Sequence, residues 1–197
     1  MNTKEKIMDV ALHMFSERGY EAVSIRDICG EVGIKESTLY YHFKNKQDIL
    51  DSLIARFKAH IEGLLSHIEE ISEQPSAKKK TKHAALFTDT YMMDSYLFDP
   101  FCNLMIRLMM IEQFHNEEIR ALYEKTMFTD PYEIQMKIMK KLSAQGAFPE
   151  EEAERIVCQY HAYMTMLTYK YLLNGELTEE RKKAYAREVH ALMGGMK

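Results

Sequence analysis

Residues 24–46 read SIRDICGEVGIKESTLYYHFKNK, and the fold turns on this stretch. Ser24, followed three residues later by Asp27, has the pattern of a reciprocal helix cap, in which hydroxyl and carboxylate each satisfy an otherwise free amide. Ile25, Ile28, Cys29 and Val32 give a short apolar stripe that stops at Gly33. A second short helix is expected from about Glu36 to Phe43, with Leu39 and Phe43 on one face. Two short helices with glycine in the tight turn between them make a helix-turn-helix once another helix packs in front. The preceding residues supply that helix. Ile7, Val10, Ala11, Met14 and Phe15 recur at helical spacing after Thr3, a candidate cap, and Gly19 follows the last turn.

Such a motif presents the first turn of its second helix to base edges, while hydroxyl, aromatic and basic groups grip phosphates on either side. Lys35, Glu36, Ser37 and Thr38 therefore face the groove first. Tyr40, Tyr41 and His42 cluster at the far end of the same helix, where they can donate to phosphate oxygens. Ser24 and Lys46 open helices whose free amides suit an anion. Bulk charge does not help, because the net charge is −4. The first fifty residues carry seven Lys or Arg against eight Asp or Glu, so local placement has to carry a DNA-binding reading.

Ser24, Ile28, Gly33-Ile34, Thr38-Leu39-Tyr40-Tyr41-His42-Phe43 and Lys46 together resemble the TetR (tetracycline repressor) family of bacterial regulators, in particular its multidrug-sensing members. Phe15-Ser16-Glu17-Arg18-Gly19-Tyr20 is similar to the end of that family's first helix. The likeness is strong over about residues 5–50 and architectural beyond. It implies an all-α homodimer of about nine helices. A three-helix DNA-binding domain over 1–46 would precede a larger helical ligand-binding and dimerisation domain over 47–197. The resemblance also implies that Arg26 reaches a base, that the partner is near-palindromic double-stranded operator DNA, and that a small hydrophobic inducer releases a repressor. Lys35 stands where the family usually has a small hydroxyl, Ser37 often aligns with glycine, and Glu36 is acidic at the groove. Glutamate can accept a hydrogen bond from cytosine, so these differences bear on which operator is read.

Beyond the motif, Asn45 is expected to cap a long helix with Asp48 in its first turn. Its apolar stripe runs through Ile49, Leu50, Leu53, Ile54, Phe57, Ile61, Leu64, Leu65 and Ile68. Residues 73–82 dissolve into Gln, Pro, Ser and lysines and read as a loop. Helices are expected at about 81–95, 100–114 and 116–144, the last broken at Pro131. One more from Pro149 runs to Asn174 and ends at Gly175, and a final one runs from Thr178 to Met193. The run from Tyr160 to Leu173 is apolar on nearly all sides, so one face needs a partner. By resemblance the last two helices build the dimer interface, with Tyr163, Leu167, Tyr171, Tyr185, Val189 and Leu192 as its candidates. Fifteen methionines and twelve tyrosines offer an adaptable apolar wall. Its candidate ligand-binding residues are Met92, Tyr96, Phe101, Met105, Met109, Phe114, Tyr123, Tyr160 and Met164.

Three widely spaced cysteines, Cys29, Cys102 and Cys158, fit neither a disulfide framework nor a zinc cage. With no leader-like start and no long apolar run, the expectation is a cytoplasmic protein without a membrane partner. Glu112-x-x-His115 lacks the second half of a di-iron site, and Cys158-x-x-His161 has no second pair nearby. The lysine run at 78–80 reads as a solvated loop. No metal, cofactor or catalytic residue is expected. An enzyme built on His161 and Tyr160, or an interaction adaptor that has lost DNA binding, leaves the 24–46 string unexplained.

Overall fold

The computed structural model describes residues 2–73, 93–144, 146 and 149–195. Among them every regular element is helical. They are α1 (Thr3–Arg18), α2 (Ile25–Val32), α3 (Glu36–His42), α4 (Lys46–Glu73), α5 (Pro100–Glu112), α6 (Glu117–Glu124), α7 (Asp130–Ala144), α8 (Glu151–Leu167) and α9 (Glu179–Gly195). Three π-helical segments, Met93–Leu97, Lys125–Thr129 and Thr168–Leu173, accompany them. The helix expected over 81–95 lies outside the described residues as far as 92. No described helix is long and apolar enough to cross a membrane.

The chain divides into two compact units, Met1–Gly63 with Leu104–Tyr123, and Leu64–Asn103 with Glu124–Lys197. This division differs from one at 46/47, because most of α4 belongs to the first unit by contact. In that unit α1 packs on both α2 and α3. Its helix starts one residue earlier than Thr3 suggests: Asn2 is the cap, its Oδ1 accepting from the Glu5 amide and its own amide donating to Glu5, both at 2.9 Å. Glu5 completes a reciprocal pair with Asn2, so Thr3 falls inside the first turn. Ile7, Ala11 and Phe15 are fully buried, the Ile7 and Phe15 side chains contributing roughly 1.5–3 kcal/mol each. The Ser24–Asp27 box forms as expected. Gly33 takes φ +77° in the left-handed region and donates to the Cys29 carbonyl at 2.9 Å, which ends α2 and aims the chain into α3. Asn45 caps α4 through the Asp48 amide at 2.9 Å.

In the second unit α7 packs on α8 around Met139, Ala153, Val157 and Tyr160, and α8 with its π segment packs on α9 around Leu167, Leu172, Tyr185 and Val189. Pro131 does not break its helix. The π turn at Lys125–Thr129 precedes it, with the Asp130 amide reaching back to the Lys125 carbonyl. A wider turn there accommodates a residue that has no amide hydrogen to give. The helix expected to reach Asn174 does so, but its last turn is π rather than α. Arg181 of α9 caps that end, donating to the carbonyls of Tyr171 (2.7 Å), Lys170 (3.1 Å) and Asn174.

Candidate nucleic-acid interface

Helix α3 is held from behind and bare in front. Leu39 and Phe43 are 0% and 2% exposed, whereas Tyr40 and Tyr41 on the other side are 52% and 85% exposed. Aromatic side chains that large are seldom left in water without a task. Lys35, Glu36 and Ser37 at the start of α3 are exposed and Thr38 is half-buried, so the residues expected to meet the groove share one open surface. His42 is half-buried, its ring edge-on to Tyr41 at 5.0 Å between centroids. Ser24 is exposed but its hydroxyl is engaged, donating to Asp27 Oδ2 at 2.6 Å. Those hydrogen bonds hold the Asp27 carboxyl below its ordinary pKa, so the cap carries a negative charge.

Arg26 is almost fully exposed and lies 3.5 Å from Glu36, which joins α2 to the first turn of α3. In water such a pair is weak, so Arg26 can leave it for a base. Lys46 is placed differently from the expectation. It is half-buried and turned toward the α1–α2 connection, donating to the Tyr20 carbonyl at 2.8 Å with its ammonium 4.1 Å from the Tyr20 ring centre. Tyr20 itself went unnoticed in the sequence as a site residue. It anchors the start of α4, also donating to Gln47 Oε1 at 3.1 Å.

The ligand-binding candidates fall in both units. Met105 and Met109 are buried in the first unit, Tyr123 is half-buried there, and Phe114 is 82% exposed. Phe114 lies past the C-terminus of α5 and has left the helix face that Met105 and Met109 occupy. Tyr96, Phe101, Tyr160 and Met164 belong to the second unit, while Met92 lies outside the described residues. Tyr96 is buried, its hydroxyl 3.3 Å from the Thr126 carbonyl.

The second unit holds polar atoms that the sequence did not reveal. Asp130 Oδ2, Gln135 Oε1 and His161 Nε2 are buried without a hydrogen-bond partner among the described residues. His161 bonds the Pro131 carbonyl through its other nitrogen, and its ring is 5.7 Å from Tyr132 and 5.8 Å from Tyr160. Burial lowers its pKa. Burial also raises that of the Tyr160 phenol, despite a hydrogen bond from Gln135. Cys158 contacts the Tyr132 hydroxyl at 3.9 Å.

Of the dimer candidates, Leu167, Tyr185 and Val189 are 0–4% exposed within the chain's own core. Tyr163 and Tyr171 are half-buried beside them, and the side chain of Leu192 lies outside the described residues. Tyr185 meets Thr168 at 3.5 Å, and burial pushes its pKa up to about 12. Leu167, Tyr185 and Val189 therefore face inward, because α9 packs on the stripe of α8 and its π segment that carries Leu167 and Leu172.

Comparison with known proteins agrees with this geometry. Residues 7–53 match the family model for bacterial regulatory proteins of the tetR family. An HTH-type transcriptional regulator in the lacX 3′ region of Lactococcus lactis is 30% identical over 148 residues, covering 73% of this chain and 69% of that protein. The chain belongs to the TetR family of bacterial transcriptional regulators. A second relative is the negative transcriptional regulator IcaR of the biofilm operon icaADBC from Staphylococcus epidermidis, 48% identical over 46 residues. That match covers 23% of this chain and 25% of IcaR. The fold recurs over the whole chain. A transcriptional regulator of Saccharomonospora viridis in complex with choline superimposes with TM-score 0.63 at 20% identity over 98% of this chain and 96% of its own. A TetR-family regulator from Bordetella parapertussis does so with TM-score 0.63 at 18% identity, over 99% and 96%. TetR-family proteins are DNA-binding regulators and not enzymes.

Proposed function

We propose that the protein is a cytoplasmic, dimeric repressor that binds a near-palindromic operator and is released by a small ligand. Residues 1–46 carry the DNA face and 47–197 the ligand and dimer functions. The observation that carries this reading is α3 itself, with Leu39 and Phe43 anchoring it in the core while Tyr40 and Tyr41 stand in solvent. Arg26 reads a guanine and Glu36 an adjoining cytosine. Tyr40, Tyr41 and His42 bind the flanking phosphates. Two copies place their α3 helices about 34–36 Å apart, in successive major grooves.

The partner copy docks on the outward stripe of α8 and its π segment. Ala162, Met166 and Tyr169 are exposed there at helical spacing, with Met166 and Tyr169 47% and 56% exposed. An apolar stripe on the side opposite the core needs a cover. The ligand binds in the second unit beside Tyr160 and Met164, where the unpartnered acceptors of Asp130, Gln135 and His161 await donors. It releases DNA only insofar as it prefers a conformation that no longer fits the operator. Helix α4, which opens at the DNA face, is the lever.

Selection of bound duplexes from a random DNA pool, with wild type beside Tyr41→Ala, tests the DNA half. Enrichment of a palindrome by wild type and its loss in the variant is the expected result. Equal enrichment by both would remove α3 from the interface.

A further inference from the structure

Glu112 is a buried acid with no place in the reading above. It closes α5, is 5% exposed, and accepts the Tyr20 amide at 2.8 Å across 92 positions of chain. The fit there is close. Gly19 has φ +82°, and a Cβ at that position would stand 3.2 Å from Glu112 Oε1 and 3.4 Å from Ile111. Tyr20 in turn is gripped on every side. Its ring is edge-on to Phe15 at 5.3 Å, its carbonyl takes the Lys46 ammonium at 2.8 Å, and its hydroxyl donates to Gln47, which donates to Asp51 at 2.7 Å. Glu112 therefore holds the amide of Tyr20, and the first turn of α4 holds its carbonyl and its hydroxyl.

From this geometry we infer that Glu112 is a positioning residue for DNA binding. Through Tyr20 it sets the place of Lys46 and Gln47, and with them the free amides that open α4 toward the DNA backbone. A carboxylate is a strong acceptor for a buried amide, and the residue it fixes is the one Lys46 leans on. Lys46 spends one of its three ammonium hydrogens on Tyr20, which aims the other two. The consequence is that α5 tunes operator affinity without touching DNA. This rests on the DNA face proposed above.

The test titrates full-length wild type, Glu112→Ala, Glu112→Gln, Lys46→Ala and the Glu112→Ala/Lys46→Ala double variant against the selected operator. The thermal midpoint and the Tyr20 amide resonance are followed in each. Glu112→Ala is expected to weaken binding about tenfold and to shift the Tyr20 amide. Glu112→Gln keeps a carbonyl acceptor and is expected to stay within about twofold of wild type. The double variant is expected to bind only slightly less well than Lys46→Ala, because both residues act through Tyr20. Wild-type affinity in a folded Glu112→Ala protein with a lowered midpoint would reduce Glu112 to packing and overturn the proposal. Independent, multiplying losses would do the same. If wild type selects no operator, the DNA reading falls and this proposal falls with it, although the Tyr20 amide shift still reports the contact itself.

Discussion

Tyr41 and His161 show how differently single residues on this chain declare themselves. Tyr41 lies in a string whose every neighbour has a structural reason to be there, and its exposure in α3 agrees with the task the string suggests. His161 gives no such sign, because one histidine in an apolar run reads as core. Only its surroundings, Tyr132, Tyr160 and the Pro131 carbonyl, reveal an imidazole held neutral by burial, with one nitrogen unpartnered among the described residues. Its pKa lies below the ordinary 6.5, so on acidification the unfolded chain takes the proton first. The stability that the neutral ring contributes is complete above 6.5 and is lost as pH falls toward the folded-state value. The thermal midpoint is thus expected to drop between about pH 7.5 and about pH 5.5, and to drop less in His161→Gln. Equal slopes in the two proteins would assign the effect to other groups.

At the scale of elements, the short helices near the N-terminus are bounded by signals within three or four residues of each end. Ser24 with Asp27, Gly33, and Asn45 with Asp48 were all legible for that reason. The Asn2–Glu5 box obeys the same rule and was misread by one position, since Asn and Thr stand side by side as candidate caps. The π segments were not legible. A π turn is set by strain and packing between helices, and no residue type marks it. The end of the Thr168–Leu173 segment depends on Arg181, eight residues beyond Leu173 and on another helix. Arg181→Ala leaves the Tyr171, Lys170 and Asn174 carbonyls without that donor and is expected to cost about 1–3 kcal/mol in urea unfolding. A loss smaller than about 0.5 kcal/mol would mean that water replaces the guanidinium.

For the whole molecule the decisive question is which side of α8 meets a second copy. Tyr169→Glu places a charge on the exposed stripe and is expected to shift the protein toward monomer in sedimentation, with loss of operator binding and little change in helicity. Tyr185→Glu sits in the chain's own core and is expected to unfold it instead. Persistence of the dimer in Tyr169→Glu would move the interface elsewhere. The sequence by itself determined that α1 to α3 exist, the Ser24–Asp27 cap and the Gly33 turn, because each rests on contacts a few positions apart. Tertiary structure alone decided that Lys46 turns to Tyr20, that Glu112 meets Tyr20 from 92 residues away, and that Leu167, Tyr185 and Val189 face inward. The physical reason is contrast. A helix with one apolar stripe announces its buried face, whereas α8 is apolar nearly all round, and a buried acid such as Glu112 finds its partner only when distant parts of the chain have packed.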